Sequence, residues 1–396
     1  MRIRSLGLYT LKYILSKPFF RAAGLVVFLL LCLSPIDAST PSRDRESHGA
    51  SYTNYHDPSG PWSIHVVKID RSVPGTEIRS LHAHDRAVGL ETLSDQLKRI
   101  RPADGIPIAG LNGDFYQRDR AFAGDPRGLQ IVGGELISRP VGGISFWIDS
   151  NKQPHMAAVI PRFHIRTTTG LLLPFGLNEN PTTNLLQLCT PSFGPSNYTA
   201  AARELVLEPP DGWRRLEVGK FYIARVKEIR DRGNGPLNAG TLVLSIPPQL
   251  LNNFALVGTE TSVGISTKTS PNLQEAKMAI SGGPILVKAG KVQKIDPPKI
   301  EDYEFTTMLE RHPRSAIGWN DQNYFFVEVD GRQKESVGMT LDEFANYLRR
   351  LGCRDAMNLD GGGSATLWFQ GAVRNHPCDG FERPIANSLA VVHTNR

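Results

Sequence analysis

The sequence predicts an α+β fold of mixed, mostly antiparallel sheets with a few packed helices. Three observations lead there. Short apolar or alternating runs recur between Gly and Pro turns; one segment from Thr340 carries a helical repeat; and a Gly-rich loop joins two strand-like runs near residue 360.

The strand expectations follow in chain order. Trp62 to Ile69, Ile106 to Leu111, Gly128 to Ile137 and Ile144 to Ile148 read as strands, followed by Glu204 to Glu208, Phe221 to Ile229 and Gly240 to Ile246. No internal repeat of fixed period is apparent. Tyr324 to Val329 is a strand ending at Asp330-Gly331. Thr340 with Glu343 three residues on forms a capping box. Leu341, Phe344, Ala345, Leu348 and Leu351 follow at helical spacing, Arg349 and Arg350 complement the helix dipole, and Gly352 supplies a left-handed stop. Ala356 to Leu359 reads as a buried strand entering the Gly-rich loop, and Ala365 to Phe369 as a strand leaving it.

The chain has 396 residues, 40% hydrophobic and 21% charged, which excludes disorder as its overall state. Its net charge of +6 would suggest a nucleic-acid partner if it were spread over the chain. It is not: residues 1 to 38 hold five basic groups and one acid, leaving a net of +2 elsewhere. Nucleic acid is therefore excluded as an expected partner. Residues 1 to 38 read as a signal peptide or N-terminal anchor, with a basic start, the apolar run Ala22 to Leu33 and the small-residue site Ile36-Asp37-Ala38. The expected location is outside the cytoplasm: periplasmic, secreted or membrane-anchored, with any membrane contact made through an uncleaved leader. Residues 39 to 60, dense in Ser, Asp, Arg and Pro, read as a polar linker, and the folded part is expected to begin near Trp62. Asn197-Tyr198-Thr199 fits a glycosylation sequon and otherwise reads as a polar loop. Of the cysteines beyond the leader, Cys353 and Cys378 flank the Gly-rich loop and are the preferred disulfide pair over Cys189. No CxxC or Cys/His cluster suggests a structural zinc.

The candidate chemistry lies in four segments. Asp360-Gly361-Gly362-Gly363-Ser364 removes every Cβ from its centre, so that a ligand can approach the backbone and amides can converge on an anion. The alternative is a hairpin turn, which needs fewer glycines. Asn112-Gly113-Asp114-Phe115-Tyr116 sets an amide and a carboxylate before two aromatics suited to stacking on a sugar, or else packs those aromatics in the core. His312-Pro313-Arg314-Ser315 offers a planar cation for phosphate, with His312 read either as a titrating contact or as a satisfied structural histidine. Ser281-Gly282-Gly283-Pro284 is a further turn able to frame a pocket. The serine-hydrolase elbow, Walker A, dinucleotide and zincin patterns are absent.

Together with Asp330-Gly331-Arg332, Gly338-Met339-Thr340-Leu341, Asn358 to Thr366 and Arg383-Pro384-Ile385-Ala386-Asn387, these segments resemble the phosphodiester glycosidase family. The resemblance spans about residues 100 to 395 and is loose from 155 to 270. It implies one catalytic domain over 61 to 396 that hydrolyses the bond between a sugar anomeric carbon and a phosphodiester oxygen. Asp360 would face the anomeric carbon and Asp114 would be the second carboxylate. Arg314 and the amides of Gly361, Gly362 and Gly363 would hold phosphate, with Asn112, His312, Gly283, Ser364 and Asn387 as substrate contacts. No cofactor is expected to be required, while Asp360 as a ligand for calcium stays open. Two rival readings also stay open: a non-catalytic polysaccharide-binding envelope protein that assists exopolysaccharide export or assembly, and a phosphodiesterase that cleaves a P-O bond.

Overall fold

The computed structural model describes residues 42–43 and 47–394, except 119, 182–183, 198–199, 209–214, 297–298, 301–302 and 305. The leader expected at 1 to 38, and Tyr198 and Thr199 of the sequon, lie outside the described residues. Residues 41–396 form one compact unit.

The fold is sheet-rich rather than clearly α+β. Two eight-stranded and two five-stranded sheets carry it, together with a two-stranded ribbon. The strand pairings are antiparallel except for Phe175–Leu177 with Leu186–Cys189. The few expected helices reduce, among the described residues, to two α-helices, Leu93–Lys98 and Leu341–Leu351.

The longer helix forms as its sequence dictates. The Thr340 side chain accepts from the Glu343 amide, the Glu343 carboxylate accepts from the Thr340 amide, and Gly352 closes the helix at φ 100°. Its apolar face, Leu341, Phe344, Ala345 and Leu348, packs on one face of the first eight-stranded sheet, against Ile64, Val66, Phe325 and Val327. The opposite face of that sheet, with Val67, Ile317, Phe326 and Met357, enters a central core shared with strands Ile106–Asn112, Met278–Gly282 and Asn387–His393. Burial on both faces explains why Tyr324 to Val329 is so apolar.

The stretch expected as linker is folded from Ala50. Ala50–Asp57 pairs along its length with Trp62–Asp70, and Ala50 and Tyr52 are buried. Its composition is mostly polar, but Ala50 and Tyr52 recur at the two-residue period of a half-buried strand. The run expected as one strand from Gly128 to Ile137 is a hairpin of Gln130–Val132 and Glu135–Ser138.

Among the described residues the cysteines do not pair. Cys189, Cys353 and Cys378 are all free. Cys353 is buried beneath the helix, where its Sγ lies against Gly318, whereas Cys378 sits beside Asp379 and the Arg332 guanidinium. Closeness to the loop in sequence gave no closeness of the two thiols.

Phe344 is fully buried at the helix–sheet contact. Phe344→Ala is expected to lower unfolding free energy by about 3–5 kcal/mol in urea titration. A loss under about 1 kcal/mol would contradict a helix held by this side chain.

Candidate active site

Five separated segments meet at the end of the central core. Strand Ile106–Asn112 delivers the Asn112 to Tyr116 turn, and strand Asp355–Asn358 delivers the Gly-rich loop beside it. The two turns are joined through one peptide: Asp360 N donates to Gly113 O at 3.0 Å, and Asn112 Nδ2 donates to Asp360 O at 2.7 Å. Asn112 Oδ1 accepts from Ser315 Oγ at 2.6 Å and from Thr366 N at 3.1 Å. Asn112 is fully buried with its amide committed, so it positions the site and is closed to the substrate contact expected of it.

Asn387 plays the matching part for Asp114. Its Oδ1 accepts from the Asp114 amide at 2.8 Å, and its carbonyl accepts from the Gly113 amide at 3.0 Å. At 1% exposure it too is a positioning residue. Gly283 lies in the turn to strand Ile285–Lys288, where its amide bonds Asn358 O and its carbonyl accepts from Asn358 Nδ2. It braces the strand that leads into the loop.

Two of the three glycine amides expected to hold an anion are spent inside the protein. Gly361 N bonds its neighbour's Asp360 Oδ1, and Gly362 N bonds Pro313 O. Close packing accounts for the missing side chains: a Cβ on Gly361 would come within 2.6 Å of Pro313 O, Gly362 has φ 60° beside the Arg332 guanidinium, and the space at Gly363 is filled by Arg383 and Asp379.

Arg314 also departs from expectation. It is buried, and its Nε donates to Met339 O while its Nη2 donates to Thr307 O and Glu310 O. The guanidinium ties a loop to the sheet, and burial with the nearby Arg332 lowers its pKa to about 10. His312 Nδ1 accepts from Arg332, and burial plus the two arginine charges lower its pKa, which favours the neutral ring.

Asp114 and Asp360 do come together. Asp114 is 5% exposed; its Oδ1 accepts from Phe115 N at 2.8 Å, and Oδ2 lies beside Gly128 without a hydrogen bond that satisfies it. Burial, reinforced by the negative charge of Asp360, raises its pKa to about 8. Burial raises that of Asp360 too, against the Ser364 hydroxyl, the Gly361 amide and the charges of Arg118 and Arg383. Ser364 is fully buried, and its hydroxyl sits against the Asp360 carboxylate. Burial thus favours the protonated form of both carboxyls, and the charge of each makes ionisation of the other harder.

Asp360 opens onto a cavity of about 370 Å³ lined also by Phe115, Tyr116, Gln117, Arg118 and Arg127. The last two arginines are exposed, and neither side chain forms a hydrogen bond or ion pair among the described residues. Gln117 N bonds Asp125 O and Arg127 N bonds Phe115 O, so the wall carrying both is a paired, ordered ribbon. Neither arginine is among the residues that the motifs single out: Arg118 lies two residues beyond Tyr116, and Arg127 belongs to no motif.

A family model for phosphodiester glycosidases matches residues 220–392, and the resemblance read from the motifs stands there. A stretch of 82 residues is 37% identical to the SPbeta prophage-derived protein YomE of Bacillus subtilis (strain 168), covering 20% of this chain and 13% of that protein. Another of 66 residues is 36% identical to the mouse N-acetylglucosamine-1-phosphodiester alpha-N-acetylglucosaminidase, covering 17% and 13%. The matches thus span about an eighth of each curated relative. A solved Synechocystis protein superposes at a TM-score of 0.72 over 90% of this chain and 64% of its own, at 20% identity, and shares the fold. The Asn112 to Tyr116 turn lies outside the stretch matched by the family model.

An unfolded aspartate releases its proton near 3.8, whereas folded Asp114 holds it to about 8, so the fold is destabilised as pH rises between those values. Asp114→Asn removes that dependence. Its melting temperature should exceed the wild type's by a margin that grows from pH 5 to pH 8. A margin that is flat across this range would show that Asp114 does not hold its proton.

Proposed function

We propose that this chain is an exported glycosidase that hydrolyses the bond between a sugar anomeric carbon and a phosphodiester oxygen in a glycoconjugate or cell-envelope polysaccharide. The observation that carries the reading is Asp360, with Asp114 as its buried neighbour, opening onto one cavity with both aromatic and cationic walls. The family match over residues 220–392 supports the reaction class, and the name of the mouse relative supports a sugar phosphodiester as substrate. The basic and apolar leader supports export.

Phosphate is a good leaving group, because the departing ester is a weak base and needs little protonation. The enzyme's task is then to stabilise positive charge growing at the anomeric carbon. Ionised Asp360 does so from the cavity floor. Arg118 and Arg127 replace Arg314 as the cations for the phosphodiester, since their guanidinium groups are exposed on the cavity wall. Phe115 and Tyr116 offer apolar surface for the sugar ring. Asp114 neighbours Asp360 and holds the proton that lets its partner ionise in a buried setting.

Hydrolysis of a panel of sugar 1-phosphodiesters in oxygen-18 water is expected to place the label on the sugar. Label in the phosphate would assign P-O cleavage instead, and no turnover by wild type on any member would favour a binding protein. Asp360→Asn is expected to reduce kcat by at least about 10³-fold while carbohydrate binding persists. Arg118→Ala and Arg127→Ala should raise KM about 10-fold each, the loss of a charge-assisted contact of about 1.5 kcal/mol. Unchanged KM in both would remove these arginines from the phosphate site.

A further inference from the structure

Among the described residues, one group of three metal-capable side chains brings its donor atoms together: His65, Asp330 and His376. The three are far apart in sequence, which is why no linear spacing suggested a metal. His65 lies on strand Trp62–Asp70, Asp330 follows strand Asn323–Val329, and His376 is in the loop after Ala372–Val373. Asp330 Oδ2 is 3.0 Å from His65 Nε2 and 3.4 Å from His376 Nδ1, and the three donor atoms lie within 4.8 Å of one another.

The surroundings are those of a cation site. The far nitrogen of His65, Nδ1, is 2.8 Å from Tyr52 Oη, a second partner that fixes the ring and leaves Nε2 facing Asp330. The other Asp330 oxygen, Oδ1, accepts from the His376 amide at 2.8 Å, which anchors the loop that brings the third donor. His65 and Asp330 are buried at 0% and 2% exposure, while the His376 side chain is 77% exposed and leaves the group an entrance.

A second, independent observation comes from Glu328. It is fully buried, and apart from the nearby Asn375 side chain neither carboxylate oxygen has a hydrogen-bond partner. It sits directly across from His65 in the antiparallel ladder and two residues before Asp330, so all three project from the same face. A buried His65–Asp330 pair alone would explain one imidazole and one carboxylate. It leaves Glu328 uncompensated and gives the converging His376 no purpose.

We propose that His65, Asp330 and His376 form a binding site for one divalent transition cation of the zinc class, with Glu328 as an acceptor for a water on that ion. Two imidazoles and one carboxylate suit such an ion better than calcium, which takes oxygen ligands. The ion releases the proton shared between His65 Nε2 and Asp330 and offsets the charge of the buried Asp330 carboxylate. It also fastens the His376 loop to the sheet. That loop continues to Asp379 and Arg383, whose side chains fill the space at Gly363, so the ion steadies the Gly-rich loop from behind.

The test uses tag-free, chelator-treated full-length protein titrated with zinc by calorimetry and with cobalt by visible absorption. One ion per chain is expected to bind, with cobalt bands of a nitrogen- and oxygen-ligated site and a melting temperature that rises with zinc. His376→Ala, at an exposed position that does not endanger folding, should weaken zinc at least about tenfold while the metal-free melting temperature stays unchanged. Three results would each overturn the proposal: no stoichiometric zinc or cobalt uptake by wild type, binding to His376→Ala as tight as to wild type, or calcium binding in preference to zinc.

Discussion

Everything at the candidate site depends on how the Asp360 peptide is held. Its N-H is given to Gly113 and its carbonyl is taken by Asn112, so the two turns that carry the carboxylates are locked in register before either side chain is considered. The lock is backed by Ser315 and Thr366, which meet at the same Asn112 oxygen. Each of these groups is buried, and breaking one strands its partners without water. The arrangement therefore has little freedom to relax. Two carboxylates remain close and desolvated because the backbone beneath them leaves no alternative.

That rigidity sets the chemistry. Acids in water would separate or ionise together, whereas here burial keeps Asp114 protonated to about pH 8 and raises Asp360 too, against the Ser364 hydroxyl, the Gly361 amide and the charges of Arg118 and Arg383. The eight-stranded sheet that delivers Asp360 has both faces covered, one by the central core, to which the strand before Asp114 also contributes, and one by the Leu341–Leu351 helix. Packing density thus protects the geometry on which the proton distribution rests.

Much of this is legible in the sequence, although several residues hold other parts than their types suggest. Strand and helix signals from Ile106 to Leu111 and from Thr340 to Gly352 were strong because hydrophobic period, cap and stop agreed. The motifs around Asn112, Gly283, Arg314, Asp360 and Asn387 were found because their residue types are unusual at the ends of strands. Their roles were misread where a polar group had two uses. Asn112, Asn387 and Arg314 read as ligands for a substrate, yet each answers buried backbone or side-chain partners that only the tertiary fold supplies. The glycines read as room for an anion, yet the room is filled by Pro313, Arg332, Arg383 and Asp379. Arg127 and the His65–Asp330–His376 group left no local trace, since their meaning lies in pairings across the chain. Strand Ala50–Asp57 was hidden by its polar composition, and the expected thiol pair rested on proximity in sequence alone.

Strand Asn387–His393 lies between Ile106–Asn112 and Thr76–His82, and through Asn387 it fixes the Asp114 turn. Two strands made early in synthesis therefore wait for one made some 275 residues later before they acquire their shared neighbour. Loop closure on that scale comes late in folding, so a nascent or truncated chain has no partly working version of the site. The turn that carries Asp114 is braced only once the sheet is complete, and the last strand to arrive is the one that braces it.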